Sequence, residues 1–323
     1  MVLVEHQKGC KMSSILITGG AGYIGSVLVP ALLHRGHAVT VLDRFPHGGL
    51  SLAACCKFST FTPVRGDVRD DVLVRSLMAK AEVIVPLAAL VGAPACEADP
   101  WTAGSVNRDA VIAIARNLGR GQRLVIPTTN SGYGIGSNAP CTEESPIRPL
   151  SIYGATKMEA ERAVLDAGGI SLRLATAFGV SPRMRIDLLV NDFVYRAVTD
   201  RAVIIFEGHF RRNFIHVRDI ASAFHHVVDG YGTTVSNGEV YNVGLSDANL
   251  TKLELCAKIA QIVPEFVFME SAIGKDPDQR DYIVSNAKIE ATGFLSEWSL
   301  ERGIRELIKG YAMLRVKRFS NWS

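Results

Sequence analysis

The 323-residue sequence lacks the features that mark several protein classes. Its 35 basic and 32 acidic residues give a net charge of only +3, which does not favour a nucleic-acid or membrane-surface partner. No apolar run reaches the roughly 18 residues that a membrane-spanning helix needs. Residues 1–11 are charged and have no apolar core of the kind found in secretory signals. These absences predict a globular, cytoplasmic protein.

Cysteine is also scarce, with six residues scattered over the chain. No Cys-x-x-Cys pair occurs, and no histidine cluster has the spacing of metal ligands, so neither a disulfide framework nor a metal site is predicted. Scattered cysteines in a chain of this length are typical of reduced thiols. Cys55 and Cys56 are adjacent and are predicted to lie in a loop without a redox role.

Apolar residues make up 48% of the chain, and in the first half they form short runs that alternate with helix-length segments. Such alternation is typical of a doubly wound parallel sheet with helices on both faces, the Rossmann-like α/β class. The predicted strands are 15–18, 38–42, 61–64, 82–87, 123–127 and 170–174. The predicted helices are 23–35, 101–118 and 152–167.

Beyond residue 180 the pattern is less regular. Helices are predicted at 186–199, 218–229, 251–262 and 300–316. Short strands are predicted at 203–206, 240–243 and 266–269. We interpret 12–180 as a dinucleotide-binding domain, and 181–323 as a smaller mixed α/β lobe that binds substrate, with some segments returning to the sheet.

The first strand leads directly into a glycine-rich turn, Gly19-Gly20-Ala21-Gly22-Tyr23-Ile24-Gly25, that opens the first helix. Gly19 permits the turn, Gly22 lets a pyrophosphate approach the backbone, and Gly25 allows the helix to pack closely on the strand. The unpaired N–H groups of the helix N-terminus then face the phosphates. A purely structural turn is the alternative, but the flanking strand and helix favour a dinucleotide site.

Asp43 ends the second strand, at about the 20-residue distance from the glycines that this site requires. Its carboxylate can hold both ribose hydroxyls and would repel a 2′-phosphate, although Arg44 beside it would partly offset that repulsion. The sequence therefore predicts NAD, rather than NADP, as the cofactor.

Tyr153 and Lys157 are four residues apart and share one face of a predicted helix. A phenol has a pKa of about 10, too high for a base at neutral pH, and a nearby ammonium together with the nicotinamide ring favours the phenolate. Lowering that pKa by about three units takes roughly 4 kcal/mol, which a site that excludes water can supply. The pair is predicted to be the proton-transfer group of an oxidoreductase.

A polar segment, Thr128-Thr129-Asn130-Ser131-Gly132-Tyr133-Gly134, follows the predicted strand 123–127. In a parallel sheet the functional edge lies at the carboxyl ends of the strands. Ordinary turn chemistry explains such residues equally well. Their position favours a hydroxyl donor that assists Tyr153.

Together these residues resemble the extended short-chain dehydrogenase/reductase family, the NAD-dependent epimerase/dehydratase group. The resemblance covers nearly the whole chain after Met12. It rests on the glycine turn, the tyrosine–lysine pair and five further motifs: Gly66-Asp67-Val68, Leu87-Ala88-Ala89, Asn107, Thr129 to Gly134, and Arg212-Asn213-Phe214-Ile215-His216-Val217.

The resemblance implies a role for each matching residue. The implied catalytic residues are Thr129, Tyr153 and Lys157. The implied cofactor-binding residues are Gly19, Gly22, Tyr23, Ile24, Gly25, Asp43, Arg44, Asp67, Val68, Leu87, Ala88, Ala89, Asn107, Thr128, Tyr153 and Lys157. The implied substrate-binding residues are Val91, Asn130, Ser131, Thr176, Arg183, Asn191, Arg212 and Arg280, of which Arg212 and Arg280 would grip a sugar-nucleotide pyrophosphate.

Departures from the family pattern affect the substrate more than hydride transfer. Family members that dehydrate sugars carry an acidic pair after the catalytic threonine, where this chain has Asn130 and Ser131. The segments 129–136 and 183–193 are similar to those of a narrower branch that contains GDP-heptose 4-dehydrogenases. His216 is predicted to be a packed histidine rather than a ligand.

The resemblance thus implies oxidation of the C4 hydroxyl of a nucleotide-linked sugar, GDP-linked in preference to UDP-linked, for a surface-polysaccharide precursor. A 4-epimerase that uses the same 4-keto intermediate and a non-catalytic NAD-sensing protein are the alternatives. A homodimer through helices 101–118 and 151–167 is the family expectation.

Overall fold

The computed structural model describes residues 12–136, 139–274 and 280–314. The strands are β1 (Ser14–Thr18), β2 (Ala38–Asp43), β3 (Phe61–Arg65), β4 (Val83–Pro86), β5 (Arg123–Thr129), β6 (Ile170–Leu174), β7 (Thr176–Phe178), β8 (Ala202–Phe206), β9 (Arg211–His216), β10 (Val240–Val243), β11 (Asn249–Thr251) and β12 (Val267–Ser271). The α-helices are α1 (Gly25–His34), α2 (Asp71–Met78), α3 (Ala93–Ala98), α4 (Pro100–Thr102), α5 (Ala110–Arg116), α6 (Ile152–Asp166), α7 (Leu189–Thr199), α8 (Val217–Gly230), α9 (Lys252–Ile262), α10 (Ala287–Glu290) and α11 (Leu300–Met313).

Seven strands form one parallel sheet in the order β3-β2-β1-β4-β5-β6-β10. This confirms the predicted doubly wound fold. The chain leaves β1 towards β2 and β3 on one side and returns to β4, β5 and β6 on the other. The strand order therefore reverses between β1 and β4, the place where this fold forms its binding crevice. The outermost strand, β10, comes from the second half of the chain.

Strand β1 shows why the sheet is covered on both faces. Ile15 and Ile17 point into a core shared with α1 and α8, whereas Leu16 between them points into a core shared with α2, α5 and α6. All three side chains are buried. Because successive strand residues face opposite sides, a continuous apolar run is what a sheet with helices on both faces requires.

Two smaller sheets, which belong to the second half of the chain, complete the molecule. The strands β7, β9 and β11 form a mixed sheet, and β8 pairs in parallel with β12. Sequence analysis places β8 and β12 but misses β7, β9 and β11. Two of these are only three residues long, and the periodic pattern of β9 is hidden within the Arg212–Val217 motif.

Three predicted elements differ from the structure. The helix predicted over 101–118 is interrupted, because a π-helical turn, Ala103–Asp109, separates α4 from α5. Cys55 and Cys56 lie in a 3₁₀-helix, Leu50–Lys57, with Cys55 buried, rather than in a loop. The helix predicted over 300–316 ends at Met313 in the structure. Residues 315–323, which include the last two residues of that prediction, lie outside the described residues. Within the described ranges, no helix is both long and apolar enough to cross a membrane.

Candidate active site

The glycine turn lies against the chain that leaves β4. Gly19 has a φ of +72°, and a Cβ atom placed there would be 2.5 Å from the main-chain nitrogen of Ala88. Gly25 is equally confined, since a Cβ atom would meet the Gly20 carbonyl oxygen at 2.4 Å. Only glycine fits at either position. The turn therefore brings the N-terminus of α1 close to Leu87, Ala88 and Ala89, as expected for a pyrophosphate site.

Asp43 holds the glycine turn in place. Its carboxylate accepts hydrogen bonds from the Ala21 N–H at 3.0 Å and from the Phe45 N–H at 2.7 Å. Arg44 points towards Asp67, with 3.8 Å between its Nε and Asp67 Oδ2. Asp67 also receives two hydrogen bonds from the Arg69 side chain, and these hydrogen bonds lower the pKa of Asp67 to about 2. The Arg44 side chain is thus oriented towards the carboxylate of Asp67.

Asn107 supports the segment that follows β4. Its amide nitrogen donates to the Leu90 carbonyl at 2.9 Å, and its amide oxygen accepts from the Leu90 N–H at 2.8 Å. The wide π turn places this buried side chain within reach of Leu90. Val91, a predicted substrate contact, is partly buried beside Leu90, and Val68 packs on the core under the sheet. Asn107 therefore fixes the wall of the crevice.

The second half of the chain closes over the first helix through Tyr23. The Tyr23 hydroxyl donates to the Gly179 carbonyl at 2.7 Å, and the Ser181 hydroxyl donates to the Tyr23 carbonyl at 2.7 Å. Ile24 packs against the same core. Asn191, which is fully buried, accepts from the Gly179 N–H and donates to the Arg185 carbonyl. Its amide therefore links these segments, and its predicted contact with substrate stays a prediction.

Tyr153 and Lys157 lie in the first two turns of α6. Ser151 starts the helix by accepting from the Gly154 N–H at 3.1 Å. Lys157 is 4% exposed, and burial lowers the pKa of its ammonium to about 8. Burial raises the pKa of Tyr153 to about 12, and the positive charges of Arg185 and Arg280 oppose this rise. Lys157 is predicted from the sequence to lower the pKa of the phenol. In the structure, Arg185 and Arg280 are the charges that lower it, against the effect of burial.

Arg185 and Cys96 are site residues that the sequence analysis misses. Arg185 is nearly buried, and its Nε lies 3.2 Å from Asp187 Oδ1. Cys96, on α3, is close enough to affect the pKa of both Tyr153 and Lys157, and burial raises the pKa of its own thiol to about 11. Arg185 is two residues from the predicted Arg183, and one sequence alone gives no means of choosing between them.

Thr129 begins a 3₁₀ turn at the end of β5. Its hydroxyl oxygen accepts from the Ser131 N–H at 3.1 Å and lies 2.6 Å from the Ser131 hydroxyl. Asn130 is 1% exposed, and neither atom of its amide has a hydrogen-bond partner within the described part of the chain. The hydroxyl of Thr128 points away from this turn, towards Glu161. The turn thus presents hydroxyl and amide groups but no carboxylate.

The remaining predicted substrate residues lie in three places. Thr176 is partly buried on β7. Arg183 is buried and lies 2.9 Å from His47, on the cofactor side of the molecule. Arg212 donates to the Arg211 carbonyl at 2.9 Å, and Arg280 donates to the Tyr282 hydroxyl at 3.4 Å. The charge of Arg280 acts on Tyr153 and opposes the rise of its pKa.

Two further expectations concern histidine and metal. His216 is fully buried, stacks on Trp298 with 4.1 Å between ring centroids, and has its Nε2 2.8 Å from Glu306. It is a packed histidine, as predicted. Over residues 12–136, 139–274 and 280–314, no group of three or more His, Cys, Asp or Glu side chains is placed to hold a metal ion.

Comparison with known proteins agrees with this geometry. The model of the NAD dependent epimerase/dehydratase family matches residues 15–244. The chain is 32% identical over 313 residues to the low-salt glycan biosynthesis protein Agl12 of Haloferax volcanii, across 92% of this chain and 98% of that protein. It is 28% identical over 270 residues to a UDP-glucose 4-epimerase of Corynebacterium glutamicum, across 76% of this chain and 80% of that protein.

A solved structure shares the fold. DesIV, a dTDP-glucose 4,6-dehydratase from Streptomyces venezuelae with NAD and TYD bound, superposes with a TM-score of 0.81. It is 24% identical, and the match covers 93% of this chain and 97% of that one. The family match confirms the resemblance inferred from the motifs and, with it, the prediction of NAD as the cofactor. The chain belongs to the NAD-dependent epimerase/dehydratase family.

Proposed function

We propose that this protein oxidises the C4 hydroxyl of a nucleotide-linked sugar to a 4-keto sugar, using NAD. The observation that carries the proposal is the arrangement on α6: Tyr153 lies one helical turn before the buried Lys157, and the charges of Arg185 and Arg280 act on the phenol. Relatives at this level of similarity include a UDP-glucose 4-epimerase and a glycan biosynthesis protein, which supports a nucleotide sugar as substrate.

The residues of the glycine turn fit the cofactor. Gly19 and Gly25 allow the close main-chain packing of the turn, since a Cβ atom at either position would collide with backbone atoms, and Asp43 stands at the end of β2 where the ribose hydroxyls of a dinucleotide lie in this fold. Lys157 would hold the nicotinamide ribose, and Leu87 to Ala89 would line the opposite wall. Bound NAD supplies the hydride acceptor of the reaction.

Tyr153 would act as the base. In the proposed step the C4–H and O–H bonds break and a C4=O bond forms, while the proton moves to the phenolate oxygen and the hydride, with its electron pair, to NAD. The guanidinium groups of Arg185 and Arg280 would stabilise the phenolate, and the hydroxyl of Thr129 would hold the sugar oxygen. Arg212 and Arg280 would bind the pyrophosphate, so that binding energy remote from C4 orients the reacting carbon.

A 4-epimerase is the second candidate, favoured by the similarity to the Corynebacterium glutamicum enzyme. It differs only in returning the hydride to the opposite face of the keto sugar. Dehydration is disfavoured, because Asn130 and Ser131 provide no carboxylic acid and no carboxylate next to Thr129. A non-catalytic NAD sensor is disfavoured because a buried lysine ammonium is costly to keep without a chemical role.

The experiment is a product assay with GDP-, UDP- and dTDP-linked sugars carrying deuterium at C4. A dehydrogenase yields a keto sugar lighter by one deuterium and one hydrogen, together with deuterated reduced NAD. An epimerase yields an isomer of unchanged mass that keeps its deuterium, and a dehydratase yields a product lighter by one water. The panel includes GDP-linked heptoses, because we propose a GDP-heptose as the substrate. The proposal fails if every tested sugar is released as an epimer or as a dehydrated product.

We further propose that the protein is a homodimer. The π turn with α5 lies beside α6, so the two helices that the family uses for this contact form one surface. Sedimentation equilibrium of the purified chain tests this, and a monomer at all concentrations would contradict it.

A further inference from the structure

A buried ion pair lies beneath the catalytic helix, and the reaction described above does not use it. Glu161 on α6 and Arg173 on β6 are 4% and 5% exposed. Arg173 Nη2 and Nε donate to Glu161 Oε1 at 2.7 and 3.1 Å. Glu161 Oε2 accepts from the hydroxyls of Thr128 at 2.8 Å and Ser171 at 2.7 Å. The carboxylate thus accepts hydrogen bonds on both oxygens.

Stability alone does not account for this pair. Removing two charges from water costs several kcal/mol for each ion, and a buried pair is often no better for stability than apolar residues of similar volume. The cost is unmistakable here because both groups are almost wholly removed from solvent. A role in positioning other groups is the natural alternative.

The pair reaches each of the elements that carry catalytic residues. Glu161 follows Lys157 by one helical turn, so the two side chains lie on the same face of α6. Thr128, which donates to Glu161, is the residue before Thr129. Arg173 donates to the Tyr133 hydroxyl at 3.0 Å, at the far end of the 3₁₀ turn that Thr129 begins.

We propose that Glu161, held by Arg173, is a positioning residue that fixes Lys157 and Thr129 relative to one another in the catalytic site. This inference rests on the proposed function, because it assigns Glu161 a part in the same proton transfer. Glu161 acts through its neighbours, as its carboxylate contacts Thr128, Ser171 and Arg173.

The charges around Lys157 determine how such a role would be detected. Burial lowers the pKa of Lys157, and the carboxylate of Glu161 is the first charge that opposes this, followed by Cys96 from α3. Tyr153 shares the helix face with Lys157, and the charges of Arg185 and Arg280 act on Tyr153. Neutralising Glu161 leaves Arg173 as an uncompensated cation nearby. The pKa of Lys157 then falls further, and the ammonium is lost at a lower pH.

Glu161→Gln tests the inference because it removes the charge and keeps the shape. We expect kcat to fall by about tenfold or more, with the KM for the nucleotide sugar changed by less than about threefold and NAD still bound. The alkaline limb of the kcat–pH profile should move to lower pH by about half a unit or more. Glu159→Gln is the matched control, since Glu159 lies on the same helix but is exposed beside Arg108. A Glu161→Gln profile that matches the control overturns the inference.

Thr128→Val provides an independent test, which holds even if Glu161→Gln does not fold. It leaves the ion pair in place and removes only the hydroxyl that joins Glu161 to the strand carrying Thr129. We expect kcat to fall about fivefold or more with NAD content unchanged and the alkaline limb unmoved. A wild-type kcat overturns the inference. The proposed function is tested separately by Tyr153→Phe, and it fails if that variant turns over substrate at the normal rate. If Tyr153→Phe is inactive but Glu161→Gln and Thr128→Val have normal activity, only the positioning role of Glu161 is overturned.

Discussion

The side-chain amide of Asn107 pairs with both main-chain groups of Leu90, which donates to it at 2.8 Å and accepts from it at 2.9 Å. The two residues are 17 positions apart in sequence and belong to different elements. Leu90 lies beyond the end of β4, and the Asn107 amide supplies hydrogen bonds to its main-chain N–H and C=O in place of those of a neighbouring strand. It holds the chain that forms one wall of the crevice opposite the glycine turn.

Asn107→Ala is expected to lower the free energy of unfolding by about 2–4 kcal/mol, because it leaves a cavity and removes the side-chain acceptor of the Leu90 N–H, while the Leu90 carbonyl keeps only the weaker Cys96 thiol donor. NAD affinity should fall with it, as the wall formed by Ala88 and Ala89 loosens. Urea unfolding and NAD titration measure both. Asn117→Ala, which removes an exposed amide bonded to the Ala113 carbonyl, is the control. Equal stability of the two variants would contradict the assigned role.

Asp43→Asn is expected to weaken NAD binding by about tenfold. The amide keeps one acceptor for the two main-chain N–H groups of Ala21 and Phe45, and the NH₂ group faces the other N–H. Discrimination against NADP should also decrease, because the charge that repels a 2′-phosphate is gone. Isothermal titration with both dinucleotides measures the change. Asp70→Asn, at the exposed N-cap of α2, should leave both affinities unchanged, and unaltered NAD binding in Asp43→Asn would disprove the prediction.

Lys157→Met is expected to stabilise the fold while stopping turnover. The fall in the pKa of Lys157 from 10.5 to about 8 means that keeping the buried ammonium costs roughly 3 kcal/mol at neutral pH. The sign follows from linkage: the cost is fully present below pH 8 and vanishes as the pH rises through 10.5, where folded and unfolded lysine are both neutral.

Unfolding curves at pH 7 and above pH 10.5 check this, with the gain in stability confined to the lower pH. Lys288→Met is the control, because that ammonium is partly exposed beside Glu239 and its removal should bring no gain. A Lys157→Met variant that is no more stable than the wild type at pH 7 would refute the account of the buried ammonium.

Arg185→Met is expected to raise the pKa of Tyr153, since it removes the first charge that opposes burial. The phenolate then forms at higher pH, and the acidic limb of the kcat/KM profile moves upward. Arg196→Met on α7 is the matched control, because it also breaks an arginine–aspartate pair, but an exposed one. An unshifted acidic limb in Arg185→Met would show that this guanidinium does not act on the reacting phenol.

The architecture was predictable from sequence because its signals are local. The run of buried residues from Ile15 to Thr18 in β1 and the glycine turn after it give clear patterns within a few residues. The Tyr153–Lys157 spacing is local too, being one turn of a single helix. Each of these features depends on neighbours in the sequence, which is what periodicity can detect.

The rest depends on contacts between distant segments. Arg185 and Cys96 come from separate parts of the chain, and only folding brings both close to Tyr153. The π turn that contains Asn107 places its side chain in contact with Leu90, and it could not be predicted from helical periodicity. The sequence likewise points to Lys157 as the charge acting on Tyr153, because Arg185 and Arg280 are distant from Tyr153 in sequence.

The most direct test of the central claim is Tyr153→Phe, studied by the formation of reduced nicotinamide in a single turnover with the nucleotide sugar identified in the product assay. The phenyl ring keeps the packing and removes only the hydroxyl. The account predicts that the variant folds, retains NAD and transfers hydride at least about 100-fold more slowly than the wild type. Hydride transfer at the wild-type rate would contradict it.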